Sequence, residues 1–399
     1  MSGLRVAIVS DFREERWHSM DLVSELLLRG LGAAGRAGEP LLVSEVCPTM
    51  SRRFTRLPVI GRSRIAGTGD RVLNRYWDYP RWLRPATGLF DLFHIVDHSY
   101  AHLAASLPEG RSIVMCHDID AFLCVVERRK RPTAVARGMG RRLADGLQAA
   151  ARIVCGSQAT RDALVAQGLA LAPLVTVVPY ALHPLLSPGA DPHADAAAER
   201  LCGGGVMDLL HVGSTIPRKR IDVLLEVFAA IRRRHAEARL LRVGGPMTSA
   251  QQEQASGLGV AEAIVELPFL DRRELAAVYR RAALVLQTSD REGFGLPVAE
   301  ALACGTAVIA SDLPALREAG GIAATYCRVG DIDAWTAAAE IVLQERAEMG
   351  FAWTTRRLEA LAHSARFSLD AHVRGILAVY RDVAPEAFED PLVPVRIRA

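Results

Sequence analysis

The chain of 399 residues is longer than one ordinary hydrophobic core requires, so we expect two domains. Half of the residues are hydrophobic and 6% are aromatic, which favours an α/β enzyme over a disordered chain. A formal net charge of +3 is nearly neutral at this length and argues against a general nucleic-acid-binding protein.

The seven cysteines include no C-x-x-C pair, which predicts free thiols in a reducing compartment. The first residues run directly into an apolar strand pattern, without the profile of a signal peptide. No run of about 18 apolar residues occurs. We therefore expect a cytoplasmic protein, with peripheral attachment at the inner face of a membrane as a further option.

The first half of the chain alternates short apolar runs with helical patterns. Residues 4–11 form an apolar run, and a helical pattern follows at 19–35. Continuous apolar strands between helices are typical of a parallel sheet that is covered on both faces. The later apolar runs of this half are residues 92–97, 112–118, 152–157 and 174–180.

Residues 186–205, rich in Pro, Ala and Gly, interrupt the alternation and are predicted to be an interdomain linker. We predict Rossmann-like domains at 1–185 and 206–367, with parallel sheets that face a cleft. Residues 368–399 would form a C-terminal helix and tail that could cross back to the N-terminal domain. The predicted strands of the second half are 206–214, 239–245, 284–289 and 306–312.

The stretch "SDREGFGLPVAEALACGTAVIASD" (289–312) places Glu292 and Glu300 on either side of a Gly-Phe-Gly-Leu-Pro turn. Pro297 suits the first turn of a helix over 297–304. The preceding backbone N–H groups would form an anion site at the helix N-terminus. Two carboxylates around a phosphate fit a nucleotide diphosphate sugar; two solvated glutamates on a capped helix are the alternative. The residues of the turn are Gly293, Phe294, Gly295 and Leu296.

In "GSTIPRKR" (213–220), Arg218 and Lys219 follow a strand and precede a helix. Cations at this place would neutralise a departing diphosphate, a role that can replace a metal. The alternative is a solvated basic helix end. However, positive charge at a helix N-terminus opposes the helix dipole, which favours the functional interpretation.

The stretch 289–312 resembles the E-x(7)-E signature of retaining glycosyltransferases of family 4, which have the GT-B fold. Residues 211–228 resemble that family's glycine loop and basic diphosphate contact, residues 267–321 its C-terminal domain, and residues 177–184 the strand closing its N-terminal domain. The resemblance implies an α/β GT-B fold and metal-independent, retaining hexosyl transfer. The donor would be a nucleotide diphosphate sugar, with UDP or GDP undecided. The acceptor would be a hydroxyl of a glycan, polysaccharide or lipid-linked molecule.

The resemblance also implies roles for single residues. Glu300 would bond the ribose and Glu292 the hydroxyls of the donor sugar. Lys219 and Arg218, with the N–H groups of residues 294–296, would stabilise the departing diphosphate. Other donor contacts would be Gly213, Gly293 and Ser214, the last standing where the family usually has a basic residue.

His117 ends an apolar run in "VMCHDIDAF" (114–122). It resembles the family's histidine near the transferred sugar, and Asp118 would orient it; a structural histidine is the alternative. His98 and His102 end the preceding run. They would either line the acceptor site or form local hydrogen bonds.

Two pairs, Asp118 with Asp120 and Asp331 with Asp333, match the D-x-D spacing of metal-dependent glycosyltransferases of the other main fold. This short spacing is common by chance, and Asp331 suits a helix cap. We therefore expect no catalytic metal and no cofactor.

Family members have a Gly-Gly loop near the donor phosphates after the first strand, whereas residues 10–20 here contain no glycine. Whether this loop contacts the donor is left open, and Arg13 and Trp17 would contact the acceptor. The arginine-rich segments 51–84 and 127–142 could bind anionic lipid headgroups or a lipid diphosphate, or form a solvated face.

Two rival functions stay open at this point. A sugar-nucleotide epimerase on the same fold would bind the nucleotide but need no acceptor. A non-catalytic scaffold would keep only the fold, although the intact charged residues of 211–228 and 289–312 argue against it. A dinucleotide-binding oxidoreductase is disfavoured because no G-x-G-x-x-G follows the first strand.

Overall fold

The computed structural model describes residues 3–58, 62–123, 133–205 and 207–388. The chain divides into two compact units. Unit 1 contains the chain up to Pro179 and the segment from Asp370 onward, and unit 2 contains Tyr180–Leu369. The first unit therefore ends a few residues before the predicted boundary at 185.

Unit 1 is built on a six-stranded parallel sheet with the order β2-β1-β3-β4-β5-β6. Its central strands are mainly apolar, and most of their residues have almost no exposed surface because helices cover both faces. Each such side chain contributes about 1.5–3 kcal/mol on burial. The strands are β1 (Leu4–Val9), β2 (Leu41–Val46), β3 (Leu92–Ile95), β4 (Ser112–Cys116), β5 (Arg152–Cys155) and β6 (Val175–Val177).

The α-helices described in the N-terminal part of unit 1 are α1 (His18–Arg36), α2 (Arg64–Leu73), α3 (Tyr79–Leu83), α4 (Ala134–Ala149) and α5 (Gln158–Ala166). Nine residues of 3₁₀-helix, His98–Ser106, follow β3 and pack against α4. The contact is close: a Cβ at Gly146 of α4 would lie 2.1 Å from the carbonyl oxygen of Ala101.

Unit 2 is built on a second six-stranded parallel sheet, with the order β12-β11-β10-β7-β8-β9. Apolar side chains of alternate strand positions fill two cores, one on each face. The strands are β7 (Met207–Val212), β8 (Ala238–Val243), β9 (Ile264–Glu266), β10 (Leu284–Gln287), β11 (Val308–Ser311) and β12 (Thr325–Cys327).

The α-helices of unit 2 are α6 (Pro192–Cys202), α7 (Ile221–Arg232), α8 (Ser249–Gly257), α9 (Arg272–Arg281), α10 (Leu296–Ala303), α11 (Pro314–Gly320), α12 (Ile332–Glu348) and α13 (Phe351–Ser364). The chain then enters α14 (Leu369–Val383), which packs in unit 1. There the Tyr380 hydroxyl lies 2.8 Å from Nδ1 of His94, and Gly375 approaches Val178.

The prediction of a loose linker at 186–205 is wrong, because helix α6 fills most of this range and packs on α9 within unit 2. Asp191 caps α6 by accepting from the Ala194 amide at 3.2 Å. Arg280 of α9 bonds Asp195 at 2.5 Å. A Pro- and Ala-rich segment can form a helix whose apolar face consists of small residues. The lack of strand periodicity in this segment does not exclude such a helix.

Three strands were missed from the sequence: β2, β9 and β12. All three lie at sheet edges, where one side of the strand has no neighbouring strand. Strand β2, for example, exposes alternate residues and lacks the continuous apolar run of a central strand. In the part of the chain that the structure describes, no helix is long and apolar enough for a bilayer.

Candidate functional site

In unit 2, the predicted site residues come together at the carboxyl ends of β7 and β10, where parallel sheets bind their ligands. The loop after β7 carries Arg218 and Lys219 in a 3₁₀ turn before α7. The loop after β10 carries Glu292 before α10. A backbone bond from the Asp290 amide to the Arg218 carbonyl, 2.9 Å, joins the two loops.

Glu292 is the centre of a buried ionic network. Its Oε1 accepts from Nζ of Lys219 at 2.6 Å and from Oγ of Ser289 at 2.6 Å. The same oxygen accepts from Nε2 of Gln287 at 3.0 Å, and Oε2 accepts from Nη1 of Arg218 at 3.0 Å. Both charged partners are supplied by the other loop, so the network fixes the shape of this edge of the sheet.

Burial by itself would raise the pKa of Glu292, but Lys219 and Arg218 outweigh this effect and hold the pKa below its usual value. Glu292 is therefore an anion at neutral pH. Within this network, one carboxylate is paired with two cations.

The turn before α10 presents backbone donors. Gly295 has φ +103°, and a Cβ there would lie 2.5 Å from Cδ2 of Leu316, so only glycine fits. Within the described residues, the amides of Phe294, Gly295 and Leu296 have no hydrogen-bond acceptor. The ring of Phe294 packs edge-on against Tyr180 and Phe367 and anchors the turn. The helix begins one residue before the predicted start.

Glu300 lies apart from this network. It is buried in α10, and its Oε2 accepts from the Tyr279 hydroxyl of α9 at 2.8 Å. Burial raises the pKa of Glu300, against a smaller opposing effect of that hydrogen bond. The pKa values of Glu292 and Glu300 are therefore shifted in opposite directions.

Gly213 and Ser214 form the loop after β7, as predicted. Gly244, after β8, has φ +126°, and a Cβ there would lie 2.3 Å from the Gly213 carbonyl oxygen. The two loops therefore pack backbone against backbone. Ser214 is exposed at the tip, where its hydroxyl and amide can reach a ligand.

Two buried polar side chains beneath this loop were missed from the sequence. His211 of β7 and Arg242 of β8 are partners in the parallel register, and both are almost fully buried. Nη2 of Arg242 donates to the Gly213 carbonyl at 3.2 Å. Burial lowers the pKa of His211 well below its usual value, and Arg242 and Lys219 lower it further. The sequence feature that could have revealed these two residues is a His and an Arg inside apolar strands, each directly before Val-Gly.

In unit 1, His117 and His98 meet at the carboxyl ends of β3 and β4, with ring centroids 5.7 Å apart. The His117 amide donates to Nδ1 of His98 at 3.3 Å, and His117 Nε2 lies 2.7 Å from the Val96 carbonyl. Asp118 lies 3.6 Å from Nε2 of His98. Burial lowers the pKa of His117, with Asp97 opposing.

The same edge holds two buried carboxyl groups, Asp97 and Asp11, that the sequence analysis did not single out. Burial would raise the pKa of Asp97, but His98, His117 and Ser99 lower it to about 2. Asp11 faces Asp97, and burial together with the Asp97 charge raises its pKa well above the usual range. The pKa values of the two carboxyl groups are therefore shifted in opposite directions.

Arg13 and Trp17 lie in the glycine-free loop after β1. Arg13 pairs with Glu45 and, at 3.1 Å, with Asp21. Trp17 is about half exposed, and the guanidinium of Arg75 lies 5.6 Å from its ring centroid. His102 bonds the Arg75 carbonyl at 2.8 Å, which favours the local alternative for this histidine.

One group of described residues has the spacing of a metal site: ligand atoms of Asp97, His98 and His117 lie within 4.8 Å of one another. The Asp97 oxygens already accept from the amide and hydroxyl of Ser99. Asp331 caps α12 by accepting from Ala334 at 3.1 Å. The ligand atoms of this group thus already take part in hydrogen bonds within the described residues.

The unit 2 site lies in a segment of the chain that matches a known protein family. Residues 204–351 match the family model described as glycosyl transferases group 1. A D-inositol 3-phosphate glycosyltransferase of Gordonia bronchialis is 37% identical over 184 residues, 42% of this chain and 39% of that relative. Its counterpart in Rhodococcus jostii is 33% identical over 218 residues, 49% of this chain and 46% of the relative. The chain therefore spans less than half of the length of these curated relatives.

Solved structures share the fold over nearly the whole chain. Sucrose-phosphate synthase of Thermosynechococcus elongatus has a TM-score of 0.71 at 19% identity, over 96% of this chain and 100% of that one. HepE of Anabaena in complex with UDP has a TM-score of 0.65 at 16% identity, over 95% and 100%. These likenesses confirm the predicted α/β GT-B fold.

Proposed function

We propose that the chain is a retaining glycosyltransferase that moves a sugar from a nucleotide diphosphate sugar to an acceptor hydroxyl. The observation that carries the proposal is the edge of the unit 2 sheet, where Lys219 and Arg218 hold Glu292 beside three unpaired backbone N–H groups. Cations and free amides converging on one turn suit a diphosphate. The group 1 family match over the same segment supports this proposal.

In the proposed donor complex, the amides of Phe294, Gly295 and Leu296 bond the diphosphate, and the two cations neutralise the charge that develops as it leaves. Such fixed donors act without reorganisation in the transition state. Because they supply the positive charge, the reaction needs no catalytic metal and no cofactor.

Glu292 would accept hydroxyls of the donor sugar, and the oxygen of Glu300 that does not bond Tyr279 would accept a ribose hydroxyl. This assignment follows the E-x(7)-E signature of family 4. The acceptor would attack from the face of the departing diphosphate, so that the anomeric configuration is retained. A trapped covalent glycosyl-enzyme would overturn this front-face step.

Unit 1 would bind the acceptor, with His117 and Asp118 near the reacting hydroxyl and His98, Arg13 and Trp17 around it. Its carboxylates and neutral imidazoles are acceptors for sugar hydroxyls. The acceptor class is a glycan, polysaccharide or lipid-linked molecule, in polysaccharide assembly in the cytoplasm.

Peripheral contact with an anionic membrane is part of the same proposal. In the arginine-rich segment 51–84, Ile65, Trp77 and Trp82 are 84%, 57% and 49% exposed, and Arg81 stacks on the Trp77 ring. Exposed Trp beside Arg suits the headgroup region. Residues 59–61 of this segment, and residues 127–132 of the second arginine-rich segment, lie outside the described residues. Vesicle co-sedimentation tests this contact, with Trp77→Ala expected to reduce it and Phe351→Ala in unit 2 as the control.

The first test is calorimetric titration of the protein with UDP and with GDP, without metal. We expect one of them to bind in the micromolar range and to bind more weakly to Glu300→Ala, because the ribose contact is lost. Release of that diphosphate from its sugar, together with a glycoside product, separates transfer from epimerisation. Failure of both nucleotides to bind would contradict the proposed donor site.

A further inference from the structure

Arg242 is a buried arginine in β8, and its partner in register on β9 is Glu266. It is 1% exposed, and its Nε and Nη1 atoms have no hydrogen-bond partner among the described residues. A guanidinium remains protonated in proteins, so the charge cannot be removed by titration. Burying such a charge without a close partner costs several kcal/mol. A strand interior would normally hold an apolar residue here, as at Leu240 two residues earlier.

The single hydrogen bond of Arg242 leads to the glycine loop. Its Nη2 donates to the carbonyl of Gly213, whose peptide continues into the exposed Ser214. On the other side, Gly244 confines the same carbonyl. The Gly213–Ser214 peptide is therefore held from below by a charged donor and from the side by the backbone after β8.

Glu266 on β9 attracts the charge of Arg242, but no ion pair joins the two side chains in the described structure. Its register neighbour His211 is buried and has no partner on either ring nitrogen in the described structure. Lys219, Arg218 and Arg242 are three cations, and the carboxylates that act on them are Glu292 and Glu266. The remaining positive charge suits an anionic ligand.

We propose that Arg242 is a positioning residue for the diphosphate of the donor, acting through the Gly213–Ser214 peptide and through its buried charge. This inference deepens the proposed function and rests on it. If Arg242 had only a structural role, its replacement would destabilise the fold and would change the affinities for ligands with and without phosphate to the same extent. The ratio of nucleoside diphosphate affinity to nucleoside affinity distinguishes the two roles.

The experiment titrates the full chain with UDP and uridine, and with GDP and guanosine. Arg242→Leu should weaken binding of the diphosphate about tenfold or more. Its nucleoside affinity should stay within about twofold. Arg242→Lys should recover most of the loss, because it keeps the charge and a donor. The matched control is Arg239→Met, which removes an arginine from the other end of β8, where it pairs with Asp208.

An unchanged ratio in Arg242→Leu, with a wild type that binds the diphosphate, would overturn the inference and leave the proposed function intact. A wild type that binds no nucleotide would overturn both. If Arg242→Leu does not fold, Arg242→Lys and Arg242→Gln decide. The ratio of nucleoside diphosphate affinity to nucleoside affinity must then differ between these two variants. The neutral Gln variant should lose diphosphate binding, and the Lys variant should keep it.

Discussion

At the carboxyl end of the unit 2 sheet, Lys219 and Arg218 bond the carboxylate of Glu292 and Arg242 lies beneath the loop after β7, whereas the same end of the unit 1 sheet holds two buried carboxyl groups and two histidines. The two sheets have the same number of parallel strands. The architecture therefore decides where a ligand binds, and the side chains at the strand ends decide which charge it carries. An anion suits unit 2, and a hydroxyl-bearing molecule suits unit 1.

The strongest test of the cationic edge is Lys219→Ala. We expect the transfer rate to fall by about 10²–10³-fold, since one fixed charge near the leaving group is lost. The variant should also be less stable, because Glu292 loses its shortest ionic contact. Arg291→Ala is the control, as this exposed arginine adjoins Glu292 in sequence. A rate close to wild type would contradict the role of Lys219.

The next test concerns the backbone contact between the loops after β7 and β8, beneath the cationic edge. Gly244→Ala should cost about 2–5 kcal/mol, because its Cβ meets the Gly213 carbonyl and its φ is unfavourable. Gly245→Ala is a matched control: its φ is +102°, but nothing lies within 4 Å of its Cβ. It should cost about 1–2 kcal/mol. Equal losses in urea unfolding would show that the close approach of the two loops is unimportant.

In unit 1, the opposed pKa shifts of Asp97 and Asp11 predict opposite effects of amidation. The lowered pKa of Asp97 means that its stabilisation is present at neutral pH and is lost as the pH falls toward about 2. Asp97→Asn should therefore cost about 2–3 kcal/mol at pH 7 and less near pH 3.

Asp11 has a raised pKa, so its ionisation destabilises the fold as the pH rises. Asp11→Asn should be neutral or stabilising at high pH. Denaturant titrations of both variants across pH check the pair, and an equal loss of stability in both variants would contradict the opposite pKa shifts.

The smallest effect is expected at Glu300, whose raised pKa likewise destabilises the fold above that pKa. Glu300→Gln keeps an acceptor for Tyr279 and removes the buried charge. We expect a gain of up to about 1 kcal/mol at pH 8 that disappears below pH 4. Glu292→Gln, measured in the same thermal scans, should show a loss at pH 8, because the pKa of Glu292 is lowered.

The sequence alone predicted the parallel-sheet fold because the central strands are continuous apolar runs, and it singled out Lys219 and Glu292 through a local motif. It could not predict their mutual contact, since the two loops are 73 residues apart in the chain. Arg242 and Asp11 were missed for a related reason. Each is a single polar residue at or just after a strand end, and the residues that it faces lie on other strands or their loops.

Helix α14 lies near the end of the chain but completes unit 1, whose strands lie at the beginning of the chain. Unit 1 supplies the first strands to leave the ribosome, yet the partner of His94 is Tyr380, and the surface over Val178 is closed by the helix at Gly375. All of unit 2 is synthesised in between. Domains generally fold as they emerge, so the N-terminal sheet must wait with one apolar surface uncovered. Unit 1, whose first strands are synthesised first, therefore reaches its native state last, when α14 packs on it.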